Sequence, residues 1–181
     1  GRYEPILYRN RNQDLDGNGV TFHHNPKAGG TGSETQVYQY GNLPDLNTAN
    51  PYVQERVLYF FKECIDAGVD GFRFDAAKHV ETGQDKDYAS NFWKQTLEVA
   101  KDYYKQKNGD NLYVYGEILG HPSGRLIDVY TSLMRVTDDG FVASFKNCMA
   151  QKNASLILNA SLKVNDTKKL IAWVESHDEY D

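Results

Sequence analysis

From residue 51 onward, apolar positions recur at two alternating periods, and that alternation sets the expected architecture. Val53, Val57, Phe60, Phe61 and Cys64 recur at helical spacing, which predicts a helix over 51–67 with one apolar face. Thr48 or Asn50 can cap its start, and Gly68 stops it. Residues 69–75 then form a short, largely apolar run, the pattern of a strand buried within a sheet. A second helix is predicted over 88–105, with Phe92, Leu97, Val99 and Ala100 on its apolar side and Asn108-Gly109 closing it. A strand over 112–115 leads into Gly116-Glu117. Beyond it the pattern predicts a helix near 125–134, a weak strand near 140–144 and a helical stretch over 146–162. A last strand over 170–174 runs into Ser176-His177-Asp178. Strand–helix alternation of this kind implies an α/β chain with a parallel sheet covered by helices. Residues 1 to about 44 differ: they lack sustained periodicity, are rich in Gly, Asn, Asp and His, and read as an irregular, loop-rich subdomain.

Composition narrows the partners more than the fold. With 181 residues, 40% hydrophobic and 25% charged, the chain can bury one sizeable core. A net charge of −5 with no basic run argues against nucleic acid as a partner. No apolar stretch approaches the ~20 residues that span a bilayer, so no membrane partner is expected. Cys64 and Cys148 have no metal-ligand spacing, and each falls in a helix-like segment. They read as small hydrophobes rather than as a disulfide. The 13 tyrosines are compatible with stacking surfaces for planar or sugar-like ligands.

Candidate chemistry begins at the first strand. It carries Arg73 and stops on Asp75, and side chains two apart share a strand face. A buried strand that ends on a carboxylate costs desolvation energy. Both a structural ion pair and a working acid explain that string. Two further strands also finish on acids, Glu117 and Asp178, after 42 and 61 residues, spacings that fit one βα unit and then two. Helix capping accounts comfortably for one such acid and poorly for three. In a closed β/α barrel the carboxyl ends of the strands meet on one face, where the acids would converge. Converging carboxylates suit glycoside hydrolysis, in which one must be ionised and another must hold a proton. Arg73 would hold Asp75 ionised. Glu117 lies among Tyr115, Ile118 and Leu119 with no basic neighbour in its strand, and is the better proton carrier.

The strings Gly71-Phe72-Arg73-Phe74-Asp75-Ala76-Ala77-Lys78-His79, Gly116-Glu117-Ile118-Leu119 and Val174-Glu175-Ser176-His177-Asp178 resemble three ordered signatures of the α-amylase family of glycoside hydrolases. Leu43-Pro44-Asp45-Leu46-Asn47 resembles a fourth. The resemblance implies part of a (β/α)8 TIM barrel, about strands four to seven, over 43–181. Residues 1–42 would be the C-terminal part of the inserted irregular subdomain. It implies retaining, endo-acting hydrolysis of α-1,4-glucosidic bonds in starch-like glucans. A glucan transglycosylase and a non-catalytic glucan-binding or structural fragment are the alternatives.

By role, the resemblance makes Asp75 the nucleophile and Glu117 the acid that becomes the base. Asp178 would bind substrate hydroxyls and stabilise the distorted sugar. Arg73 would orient Asp75, His177 would bond the same ring, and Lys78 and His79 would face the leaving group. A structural calcium would take the Asp45 carboxylate and the backbone carbonyl of His79, hard oxygens of the kind calcium prefers. The family also implies an extracellular or cell-surface location and a longer parent chain that supplies the rest of the barrel. On that reading the isolated segment is inactive. Three further features stay outside these roles. Asp14, Asp16 and Asn18 resemble the start of a calcium loop, but Asn25 stands where a bidentate Glu is needed, so they read as a turn. His23-His24 reads as loop surface, and Glu175 as a structural acid.

Overall fold

The computed structural model describes residues 21–23, 45–85, 89–119 and 127–178. The possible calcium loop at Asp14, Asp16 and Asn18, and most of the predicted irregular segment, lie outside them. The chain divides into two compact units: Gly1–Phe72 with His79–Tyr113, and Arg73–Lys78 with Val114–Asp181.

In the first unit, helix α1 (Pro51–Asp66) starts where the sequence allows it to start. Asn50 is the cap, and its Oδ1 accepts the Tyr52 N–H at 2.8 Å. Pro51 follows, its fixed φ suiting the first turn. Gly68, at φ +98°, ends the helix in a conformation that favours glycine. Val53, Phe61 and Ile65 are buried, and the Phe61 ring lies 5.0 Å from that of Phe72. Phe60, expected on the same face, is 52% exposed. Adjacent residues point about 100° apart around a helix, and here Phe61 takes the inward direction and Phe60 the outward one. The second helix begins near Phe92 and contains a π-helical segment, Lys94–Glu98, before α2 (Val99–Asn108). Thr96 Oγ1 donates to the Phe92 carbonyl at 2.7 Å, a side-chain bond that competes with the regular helix ladder and accompanies the bulge. Trp93, Leu97 and Ala100 are buried, whereas Val99, expected inside, is exposed. Gly109 closes α2 at φ +74°.

Four strands form one sheet in the order β1 (Gly71–Phe74), β2 (Tyr113–Gly116), β3 (Arg135–Thr137) and β4 (Leu170–Ile171). The pairs β2–β3 and β3–β4 are parallel, with Gly116 opposite Val136 and Thr137 opposite Ile171. Spatial order equals sequence order. Helix α3 (Ile127–Leu133) lies in the β2–β3 crossover and α4 (Asp139–Ala150) in the β3–β4 crossover, the construction of a (β/α)8 barrel segment. Ile118, Tyr130, Met134, Val136, Val142, Cys148 and Val164 are buried in this second unit.

Three expectations are corrected here. Residues 140–144, predicted as a strand, lie within α4, and the strand is β3 just before them. Asp138 explains the shift: its carboxylate caps α4 by accepting the Phe141 N–H at 3.0 Å. The helical stretch over 146–162 is interrupted at Lys152, at φ +51°, and resumes as the 3-10 turn Ala154–Asn159. The last strand is two residues long rather than five. Both cysteines are free thiols. Among the described residues, no helix is long and apolar enough to cross a membrane.

Candidate active site

The ends of β1 and β2 are tied together beyond their strands. The Glu117 N–H donates to the Phe74 carbonyl at 2.8 Å, and the Glu117 carbonyl accepts the Ala77 N–H at 2.9 Å. Gly116 is required by space: a Cβ there would stand 2.9 Å from Ala77 Cβ and 2.9 Å from Met134 Sδ. Ala76 turns the chain at φ +43°, a region that L-residues rarely occupy. That turn aims its N–H at Glu117 Oε2, 3.3 Å away.

Into this corner comes Arg73. Its Nη1 donates to Asp75 Oδ1 and its Nη2 to Glu117 Oε1, each at 2.6 Å. Charge-assisted bonds of this kind fix geometry as well as charge. The Asp75 side chain is 75% exposed and that of Glu117 10%, so one guanidinium joins an accessible carboxylate to a buried one. Burial pulls the Arg73 pKa down, but Asp75 and Glu117 outweigh it and hold the guanidinium above its ordinary value. As the sequence implies, the strand of Glu117 carries no basic residue, but the neighbouring strand supplies Arg73.

Of the other predicted residues, Lys78 is tied to the segment that follows Glu117. Lys78 Nζ donates to the Leu119 carbonyl at 2.6 Å, and the Tyr130 hydroxyl to the Lys78 carbonyl at 3.2 Å, which anchors the turn after Asp75. Asp178 and His177 are exposed, with His177 Nε2 3.2 Å from Asp178 Oδ2. Within the described residues Asp178 contacts His177 and Ser176, not the Arg73 cluster. The structure thus brings two of the three predicted acids together.

A second polar cluster lies in the first unit, and the sequence reading missed most of it. His23, read as loop surface, is three-quarters or more buried: its Nδ1 bonds Asp45 Oδ2 at 2.8 Å, and its Nε2 lies 3.4 Å from Glu81 Oε1. Thr48 Oγ1 donates to Glu81 Oε2. The Glu81 side chain is 2% exposed, and burial pushes its carboxyl up to about 7, against the opposing bond from Thr48. Burial also raises Asp45, with His23 and His79 opposing. Burial lowers His23, but the Asp45 bond and the Glu81 charge outweigh it, so the imidazole titrates above its ordinary value. No local period links residues 23, 45 and 81, so only the fold reveals this cluster. His79 closes the 3-10 turn Ala77–His79, half-buried. For calcium, the Asp45 carboxylate and the His79 carbonyl are the right kind of donor but supply two of the six to eight oxygens needed. One Asp45 oxygen is already bonded to His23. Among the described residues, no group of three or more His, Cys, Asp or Glu side chains is arranged to hold a metal ion.

Comparison with known proteins places the chain. Residues 33–180 match the family model for the alpha amylase catalytic domain. An alpha-amylase of Clostridium acetobutylicum is 35% identical over 165 residues, covering 88% of this chain and 21% of that protein. A cyclomaltodextrin glucanotransferase of Klebsiella oxytoca is 28% identical over 175 residues, covering 87% of this chain and 25% of that protein. The chain therefore spans about a fifth to a quarter of the length of these relatives. A crystal structure of alpha-amylase I from Eisenia fetida, a glutamate-to-glutamine variant in complex with maltohexaose, shares the fold. Its TM-score is 0.60 at 20% identity, over 89% of this chain and 31% of that one. The chain belongs to the alpha-amylase family, and its matched residues form part of that family's barrel-shaped catalytic domain.

Proposed function

We propose that these residues are the central part of a retaining, endo-acting hydrolase of α-1,4-glucosidic bonds in starch-like glucans. The observation that carries this reading is the single Arg73 guanidinium bonded to both Asp75 and Glu117. Two carboxylates on one guanidinium are close, and retaining pairs stand roughly 5 Å apart against roughly 6.5–9.5 Å for inverting pairs. Asp75, exposed and paired with a cation, attacks the anomeric carbon as a carboxylate. Glu117 gives its proton to the departing glycosidic oxygen, and a glycosyl ester forms on Asp75. Water then attacks that carbon, Glu117 takes the proton from the water, and the ester bond breaks to free Asp75. Arg73 Nη1 and Nη2 each donate to one carboxylate, so its proposed part includes orienting both acids.

Asp178 and His177 would bind hydroxyls of the distorted sugar, and Lys78 and His79 would face the leaving-group side. Calcium would be held by Asp45 and the His79 carbonyl, with the remaining oxygens from elsewhere; no chemical step uses it. An extracellular or cell-surface location belongs to the same reading. Transfer to a sugar instead of water is the second reading, supported by the glucanotransferase relative. The test is product analysis of the full-length protein on starch, pullulan and maltotriose. Reducing ends and short α-anomeric products are expected, and cyclic or elongated glucans would favour transfer. Glu117→Gln should lower kcat on starch by about 10²–10⁴-fold, the usual worth of a general acid–base group. Unchanged activity in that variant overturns the assignment.

A further inference from the structure

We infer that Thr137 is a positioning residue for Glu117. The inference rests on the proposed acid–base role of Glu117 and deepens it. On one side the Glu117 backbone is held by Phe74 and Ala77. On the other side the β2–β3 ladder stops at Gly116 opposite Val136, one residue short of Glu117. There the Thr137 side chain takes over from the ladder. Its Oγ1 accepts the Ile118 N–H at 2.8 Å and donates to the Ile118 carbonyl at 3.1 Å. One hydroxyl thereby satisfies both backbone groups of the residue that follows Glu117.

Ile118 and Thr137 are both buried, so water cannot stand in for the hydroxyl, and an unpaired peptide group there would have to turn toward another partner. Turning Ile118 rotates the 117–118 peptide and with it the direction of the Glu117 side chain. That carboxylate must meet Arg73 Nη2 at 2.6 Å and the Ala76 N–H at 3.3 Å at once. Thr137 touches neither substrate nor the reacting carboxyl; it acts by fixing the peptide on which the acid stands.

The experiment compares Thr137→Val, which keeps the shape and loses both bonds, with Thr137→Ser, which keeps the hydroxyl, in the full-length protein. A misplaced acid–base group predicts kcat on starch about 10- to 100-fold lower for the valine variant, with KM within twofold, since small misplacements carry losses of this order. Serine should restore kcat to within about threefold of the parent. An aryl maltoside whose phenol leaves without protonation should lose far less rate in its glycosylation step than starch does, because that bond needs no proton from Glu117. A valine variant with parental kcat and only a lower melting temperature makes the bond purely structural and overturns the inference. So does equal loss on starch and on the aryl maltoside. If the valine variant does not fold, Thr137→Ala against Thr137→Ser carries the same comparison, because both lose the methyl and only one keeps the hydroxyl. Glu117→Gln is measured alongside. Full activity there overturns the underlying reading, whereas an inactive Glu117→Gln beside a fully active Thr137→Val overturns the positioning role alone.

Discussion

At Gly116 the chain has no room for a side chain, and the residue after it is the candidate acid. An added methyl would press on Ala77 Cβ, fixed in its 3-10 turn, and on the sulfur of Met134. Met134 is flexible and can yield by a rotamer change; Ala77 yields only if the turn after Asp75 moves. Gly116→Ala should therefore cost about 1–3 kcal/mol, the usual range for overpacking. It should also lower kcat, since the Ala77 N–H bonds the Glu117 carbonyl. Thermal unfolding and starch kinetics on one preparation check both. An unchanged melting temperature would mean that Met134 alone gave way and that the close approach does not constrain the corner. At this scale much of the candidate site was legible: Asp75 and Glu117 follow short, largely apolar runs, and such runs locate strand ends. The Arg73–Glu117 bond was not, because it depends on which strand pairs with which. His23 and Glu81 were hidden for the same reason, 58 positions apart with no pattern joining them.

Among elements, the helices with a clear apolar stripe were legible, and the errors cluster where elements are short. Strand β3 has three residues, too few to display alternation, and Val142, among the apolar residues after it, lies on the buried side of α4. Asp138 decides the boundary. It is fully buried, and its carboxylate accepts N–H bonds from Phe141 at 3.0 Å and from Lys163 and Val164 at 2.8 Å each. One carboxylate thus caps α4 and pins the segment that returns toward β4. Gly140 belongs to the same device, since a Cβ there would lie 2.0 Å from the Ser161 carbonyl oxygen. Asp138→Ala leaves three backbone donors without that acceptor and should cost about 2–5 kcal/mol, a lost cap plus the exposure or repairing of two further N–H groups. Hydrogen exchange locates the effect: the amides of Phe141, Lys163 and Val164 should lose protection before the rest of α4. Unchanged protection at Lys163 and Val164 would show that the clamp contributes nothing to the order of that segment.

For the molecule as a whole, the candidate acids Asp75 and Glu117 and the buried polar cluster lie in different compact units, so stability and activity need not share one pH dependence. The stability term follows from Glu81 and His23. Burial raises the Glu81 carboxyl from 4.5 to about 7 in the folded chain. As pH climbs through 4.5 the unfolded chain releases that proton while the folded chain keeps it, so the native state binds more protons and stability falls with rising pH. The loss levels off above about 7, after a total on the order of 3 kcal/mol at 1.36 kcal/mol per pH unit of difference. His23 acts in the same sense. Its folded value is raised, so the stability it adds is full below its ordinary 6.5 and is lost as pH passes the raised value. The measurement is a set of urea midpoints from pH 4.5 to 8 in the full-length protein, with a chelator present so that no metal bound at Asp45 competes with His23. Glu81→Gln keeps an acceptor for Thr48 and carries no charge at any pH. It should match the parent near pH 4.5, exceed its stability by up to about 3 kcal/mol near pH 8, and flatten the slope between them. A Gln variant that is less stable than the parent at pH 8 would mean that ionised Glu81 is well accommodated by His23 and Thr48, and that burial there carries no net cost.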